Sequence, residues 1–362
     1  MIKVMPDFYE RFRCVGGVCN DNCCRAGWDI EIDKKSLSFY ESVGGVFGEK
    51  LRDSIKNESF NLSGGVCPLL NEKGLCEIIL NCGEDKLCEI CTNHPRFFEW
   101  LSDRTEMGVG LCCEEACRLL FESDEPLELT VVREDGENGG CNYSKPLYKA
   151  LLAVRETLFD IAKNRTLTLL TRILICSMLV ERVQTQINLR NTDNIFAFAQ
   201  KYSDKAFQNQ LGKKFSALSA GNRAEYTAAF LDTLAQTEPI SDEWENFLVR
   251  VSSLDTRNVS FAAAQRRFSF AYERIFVYTL FRYFLKSVYD ANAASKFSMA
   301  VSAVFVTALG LRLSFAQRGS LSYDDLINAA KLYSKQLEYD DEAETIISGS
   351  RLFTPKAIRQ LI

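Results

Sequence analysis

The chain has 362 residues, 47% of them hydrophobic, so it is long enough for two domains and apolar enough to bury a real core. A net charge of −5 argues against nucleic-acid binding, because phosphate backbones are held by concentrated Lys and Arg. Of the 14 cysteines, 13 lie between Cys14 and Cys141 and only Cys176 follows, which makes a secreted disulfide framework the first alternative to weigh.

Such a framework needs an oxidising compartment and an export signal. The opening MIKVMPDFYERFRC carries acidic residues and lacks the apolar run of a signal peptide. The longest uncharged, apolar-leaning stretch, 297–311, is shorter than the ~18 residues of a membrane span. The expectation is a cytoplasmic protein with no membrane partner, whose thiols stay reduced and read as metal ligands or reactive groups.

Up to residue 133, cysteines alternate with short segments rich in Gly, Asn and Asp, the texture of a loop-rich fold with a few short helices. Residues 134–143 open with acidic residues and three glycines and read as a linker. From there the pattern is helical. Ser144 is a candidate N-cap with Pro146 in the first turn, and Leu147, Leu151, Val154, Leu158 and Ile161 fall on one face. Further helices are predicted over 168–186, 195–201, 223–235 and 242–251, the last behind the capping-box-like Ser241-Asp-Glu-Trp. Between 266 and 289 come Phe268, Phe270, Tyr272, Phe276, Tyr278, Phe281, Tyr283, Phe284 and Tyr289. Such density reads first as core packing; the alternative is a pocket wall in which Tyr272, Tyr278 and Tyr283 take an amine or cation on their ring faces. The predicted fold class is thus mainly α: a Cys-dense, metal-binding domain (1–133), a linker (134–143) and an all-helical domain (144–362).

The thiol pattern opens with Cys14-x4-Cys19-x3-Cys23-Cys24, where Gly16, Gly17 and Gly27 let the backbone wrap closely. It continues with Cys67 and Cys76, then Cys82, Cys88 and Cys91 before His94-Pro95-Arg96, and ends with Cys112-Cys113-Glu-Glu-Ala-Cys117. Structural zinc usually shows paired C-x2-C knuckles or mixed Cys and His ligands, whereas this chain has one C-x2-C and one His. Iron–sulfur clusters use thiolates and tolerate irregular spacing, so iron fits better and zinc is the alternative metal. Neighbouring Cys23 and Cys24 diverge, which leaves two readings: two centres, or one ligand beside a buried thiol. No C-x3-C-x2-C triplet, G-x-G-x-x-G or P-loop occurs. His94 sits in a turn-like setting and reads as structural or as an outer partner of a metal centre, with metal ligation the next reading.

These motifs resemble the bacterial flagellin lysine N-methylases, the FliB family. The likeness runs through Cys14, Gly17, Cys19, Asp21, Cys23-Cys24, Gly27-Trp28, Asp33, Cys67-Pro68-Leu69, Gly74-Leu75-Cys76, Cys91, Pro95-Arg96 and the Cys113-Glu114 step that opens a helix. A looser likeness covers 272–284. The resemblance implies methyl transfer from S-adenosylmethionine to surface lysines of flagellin, with one or two [4Fe–4S] clusters. It places the metal ligands on Cys14, Cys19, Cys23, Cys24, Cys67, Cys76, Cys91 and Cys113. Cys82, Cys88, Cys112, Cys117 and Cys141 are extras with no assigned role, and the choices between Cys88 and Cys91 and between Cys112 and Cys113 stay open. The alternatives are a zinc-stabilised interaction module without catalysis and an iron–sulfur electron carrier.

Overall fold

The computed structural model describes residues 1–25, 27, 29–133, 140–217, 221–254 and 264–361. It is mainly helical. Trp28 and residues 134–139 of the expected linker lie outside the described residues.

The expected helices form for the expected reasons. Ser144 accepts from Leu147 N and starts Lys145–Ala162 with Pro146 in the first turn; Leu151, Val154, Leu158 and Ile161 are buried. Thr168 caps Leu169–Asn188, and Thr192–Ser203, Arg223–Leu234 and Asp242–Ser252 follow. The Ser241 capping box does not form, because no cap hydrogen bond reaches its side chain. Three residues on stands Trp244 in place of Glu or Gln, and its indole N–H is spent on Thr237 Oγ1 at 3.2 Å. The working capping box is Ser322 with Asp325, opening Tyr323–Leu337.

The aromatic band is core. Ser269–Tyr283 is buried almost all round, and the hydroxyl of Tyr278 pairs with the Val109 backbone while that of Tyr272 donates to Gln265 Oε1 at 3.3 Å. Tyr283 does carry cations on its ring, but they belong to the chain itself, Arg282 and Lys286. The run 297–311 lies inside a longer helix, Ala293–Arg318, which by length and hydropathy alone meets the requirement for a membrane span. Here it is the central helix, with Phe297, Val301, Val304 and Leu311 buried among its neighbours.

A four-stranded sheet departs from the expected loop-and-helix texture. β1 (Ile2–Pro6), β4 (Arg96–Trp100), β5 (Arg104–Val109) and β6 (Leu129–Arg133) lie in the order β4-β5-β1-β6, with β1 parallel to β5 and the other pairs antiparallel, while β2 (Ile55–Lys56) and β3 (Ser59–Phe60) form a separate antiparallel ribbon. Five of the six β5 residues are buried, so this strand is covered on both faces. The helical region supplies the cover: Arg155 forks onto Glu106 at 2.5 and 2.6 Å, and Tyr278 accepts from Val109 N at 2.8 Å.

The cores consequently do not divide at 134–143. The larger core joins Val4, Phe8, Phe12, Leu101, Val109, Leu120 and Phe121 to the helices beyond residue 144. A sheet must bury its apolar face against another layer, and here that layer is the helical region. A second, smaller core is built from Ile30, Ile32, Tyr40, Leu51, Phe60, Cys67, Leu69, Ile78 and Cys88.

Candidate metal centre

The small core is closed by two loops that zip together. Gly16 and Gly27 take positive φ (58° and 76°), and a side chain on Gly17 would run into Leu75 and the Lys73 carbonyl. Across the seam, Cys67 N donates to Cys24 O at 2.8 Å, Gly27 N to Gly65 O at 3.0 Å and Asn22 Nδ2 to Gly74 O at 3.3 Å. Asn71 Oδ1 accepts from Lys73 N and Leu75 N, which shapes the turn before Cys76. These contacts bring Cys24, a residue of the first loop, beside Cys67 and Cys76 of the second.

All fourteen cysteines are free thiols. Six of them lie in or against the small core, Cys67 and Cys88 buried in it and Cys24, Cys76, Cys82 and Cys91 packed half-buried against it. All but Cys82 act on one another: Cys67 and Cys76 raise Cys24, and Cys24 and Cys67 raise Cys91. Cys76 and Cys88 stand at the starts of the short helices Glu77–Cys82 and Glu89–Asn93. Burial pushes the Cys67 and Cys76 thiols up, and the amides of Leu69 and of Ile79 and Ile78 act the other way. In each close pair one sulfur is protonated toward the other. The Cys91 S–H holds Cys88 down at about 7 and is itself raised, and Cys24 does the same for Cys23, also at about 7.

Cys23 is exposed and Cys113 half-buried, with burial pushing Cys113 up to about 12. In iron-free protein, iodoacetamide labelling at Cys23 should therefore rise as pH passes upward through about 7 and be slow below it, while Cys113 labels only in strong alkali. Peptide mapping checks this; a Cys23 midpoint at the ordinary 9.0 would refute the pairing with Cys24.

A second, looser gathering lies where the first loop meets the helical region. Cys113 caps Glu114–Phe121, as expected for the Cys113-Glu114 step, and its charge neighbours Cys19. Glu114 accepts from Asn20 N at 3.1 Å and Asn20 Nδ2 at 3.0 Å, with the Cys19 sulfur 4.0 Å away. Asp21 pairs with Lys335 and, at 3.0 Å, with Lys331, which ties this loop to Tyr323–Leu337. Burial alone would raise the Asp21 carboxyl, but the two lysines outweigh it and hold it low.

The remaining positions separate cleanly. Cys14 is exposed and its sulfur accepts from Gly16 N at 3.4 Å. Cys112 meets the Tyr339 hydroxyl at 3.2 Å, Cys117 donates to the Leu111 carbonyl at 3.1 Å inside the large core, and Cys113, packed against that core, is the one whose charge meets Cys19. Cys82 flanks the small core, Cys141 donates to Tyr143 O at 3.6 Å, and Cys176 is buried among helices. His94 ends the Glu89–Asn93 helix, and burial lowers its pKa. Of the eight expected ligands, four (Cys24, Cys67, Cys76, Cys91) are brought to one core, Cys23 stands at its edge with its sulfur paired to Cys24, Cys19 and Cys113 meet in another neighbourhood, and Cys14 stands apart. Cys88, read from sequence as an extra, belongs with the first four. The C-x2-C spacing to Cys91 was the signal that could have placed it.

Among the described residues, no group of three or more His, Cys, Asp or Glu side chains is drawn in tightly enough to hold a single metal ion. In kind, the small-core donors are those an iron–sulfur centre takes: they are thiols alone, and Cys67, Cys76 and Cys88 receive backbone amides, as cluster thiolates do.

The family model described as the FliB lysine N-methylase C-terminal domain matches residues 155–348, more than half of the chain. A lysine-N-methylase of Salmonella typhimurium (strain LT2) is 28% identical over 136 residues, 34% of this chain and 34% of that protein. The flagellar biosynthetic protein FliU of Salmonella muenchen is 27% identical over 135 residues, 34% of this chain and 79% of that protein. A lysine-N-methylase of Salmonella choleraesuis (strain SC-B67) is 27% identical over 136 residues, again 34% of each chain. The match thus spans about a third of the length of both lysine-N-methylases. No solved structure matches the chain.

Proposed function

This chain belongs to the FliB lysine N-methylase family, and from that premise we propose that it is an iron–sulfur protein that methylates surface lysines of flagellin with S-adenosylmethionine. The observation that carries the metal part is the convergence of Cys24, Cys67, Cys76, Cys88 and Cys91 in one small core. Four of these thiolates would hold a single [4Fe–4S] cluster. The chain works in the reducing cytoplasm, where such thiols remain free.

In the reaction the S–CH3 bond of the sulfonium breaks as an N–CH3 bond forms at the lysine ε-amine, leaving S-adenosylhomocysteine. The attacking amine must be neutral, and the reference lysine pKa is ~10.4, so the site has to desolvate the lysine or take its proton. When bound, a cluster supplies a rigid thiolate-anchored scaffold, and an open iron if one ligand position is left free. The chain's own part is to hold these five thiols against a core walled by Ile30, Ile32, Leu69 and Ile78, with Cys67 and Cys88 buried in it and Cys24, Cys76 and Cys91 half-buried at its edge.

Protein purified without oxygen should carry iron and acid-labile sulfide and should pass label from methyl-labelled S-adenosylmethionine to purified flagellin. Unlabelled flagellin after incubation with iron-loaded protein would sink the substrate assignment. A colourless protein with stoichiometric zinc would sink the metal assignment.

A further inference from the structure

Asp33 is not one of the thiols, yet it divides its carboxylate between two helix starts. Oδ1 accepts from Ser36 N at 2.9 Å and caps Lys34–Ser42, while Oδ2 accepts from Glu89 N at 2.9 Å. The second amide opens the helix that follows Cys88 and carries Cys91. That helix has five residues, too few to be stable by itself, so its placement depends on partners outside it. Capping Lys34–Ser42 needs one oxygen, which Ser or Thr supplies about as well. Only a carboxylate offers a second acceptor aimed at another amide.

We propose that Asp33 is the positioning residue of the Cys88–Cys91 turn: by bridging the two helix starts it aims both sulfurs into the small core and sets how firmly the chain retains iron. The iron part rests on the iron–sulfur reading above; the placement of the turn does not. A shared outer partner of this kind typically changes metal retention without touching the metal.

The bond can be deleted from either end. Asp33→Ser keeps an oxygen for Ser36 N and loses the reach to Glu89. Glu89→Pro removes the donor N–H at the first helical position, where proline is favoured, together with an exposed carboxylate whose loss alone is controlled by Glu89→Ala. Cys88 already has φ −64° and ψ 163°, the extended backbone that a residue before proline adopts. Asp33→Ser and Glu89→Pro should each fold with unchanged helical content and lose iron to a chelator about tenfold faster than the parent. The double variant should be no faster than either single one, since one bond is lost once. In iron-stripped protein, alkylation of Cys88 and Cys91 should rise severalfold in both variants while Cys67 stays at the parent rate. Parent protein that never holds iron would end the iron–sulfur reading, and alkylation would still decide the placement. Unchanged alkylation in either variant, or additive effects in the double one, overturns the role of Asp33.

Discussion

Replacing Glu106 by Ala is expected to cost about 3–5 kcal/mol, a large share of the stability of an ordinary domain. The variant leaves the Arg155 guanidinium, 0% exposed, without the carboxylate that meets it at 2.5 and 2.6 Å. Arg155 also lies against the rings of Phe159 and Phe281, so it has no route to water. The pair joins β5 to the helix Lys145–Ala162, and its loss should loosen the sheet from the helical body. Replacing both residues by apolar ones of similar size should recover much of the loss, because no charge is then stranded. Denaturant midpoints of Glu106→Ala and of the apolar pair check this. Glu106→Ala within about 1 kcal/mol of the parent would contradict it.

The second large effect is on metal. Cys67→Ser barely changes side-chain volume but replaces a soft thiolate at a site that is 8% exposed and faces Cys76 and Cys88. Iron per chain should fall about tenfold or more. The same loss is expected for three of Cys24, Cys76, Cys88 and Cys91, with the remaining one dispensable because a four-iron cluster takes four thiolates. Cys14→Ser, Cys141→Ser and Cys176→Ser should keep the parent iron content. Iron content equal to the parent's in all five of the Cys24, Cys67, Cys76, Cys88 and Cys91 variants would contradict the assignment.

The helices were legible because their signals are local. Ser144 with Pro146, and the spacing from Leu147 to Ile161, need no knowledge of the rest of the chain. The sheet was not legible for the opposite reason. β5 reads Arg-Thr-Glu-Met-Gly-Val, without period-2 alternation, since both its faces are covered and its Glu106 is neutralised by a residue 49 positions away. Its partner Ile2 pairs with Arg104, a contact no window of sequence contains. Cysteine spacing named the ligand candidates but could not partition them. The split between the Cys67 group and Cys19 with Cys113 depends on Cys67 N finding Cys24 O and on Asp21 finding Lys331. Asp33 and Asp21 stood out as motif residues, and their partners at Glu89 and on Tyr323–Leu337 could be read only from the fold.

The central claim is that the thiol core serves methyl transfer to flagellin. It is tested most directly by expressing flagellin with this chain, or with its Cys67→Ser variant, in cells that assemble iron–sulfur clusters, and measuring the intact mass of the flagellin. The parent chain should add whole methyl units that map to lysines, and Cys67→Ser should add none. Flagellin of unchanged mass beside iron-loaded parent protein, or equal methylation by Cys67→Ser, would contradict it.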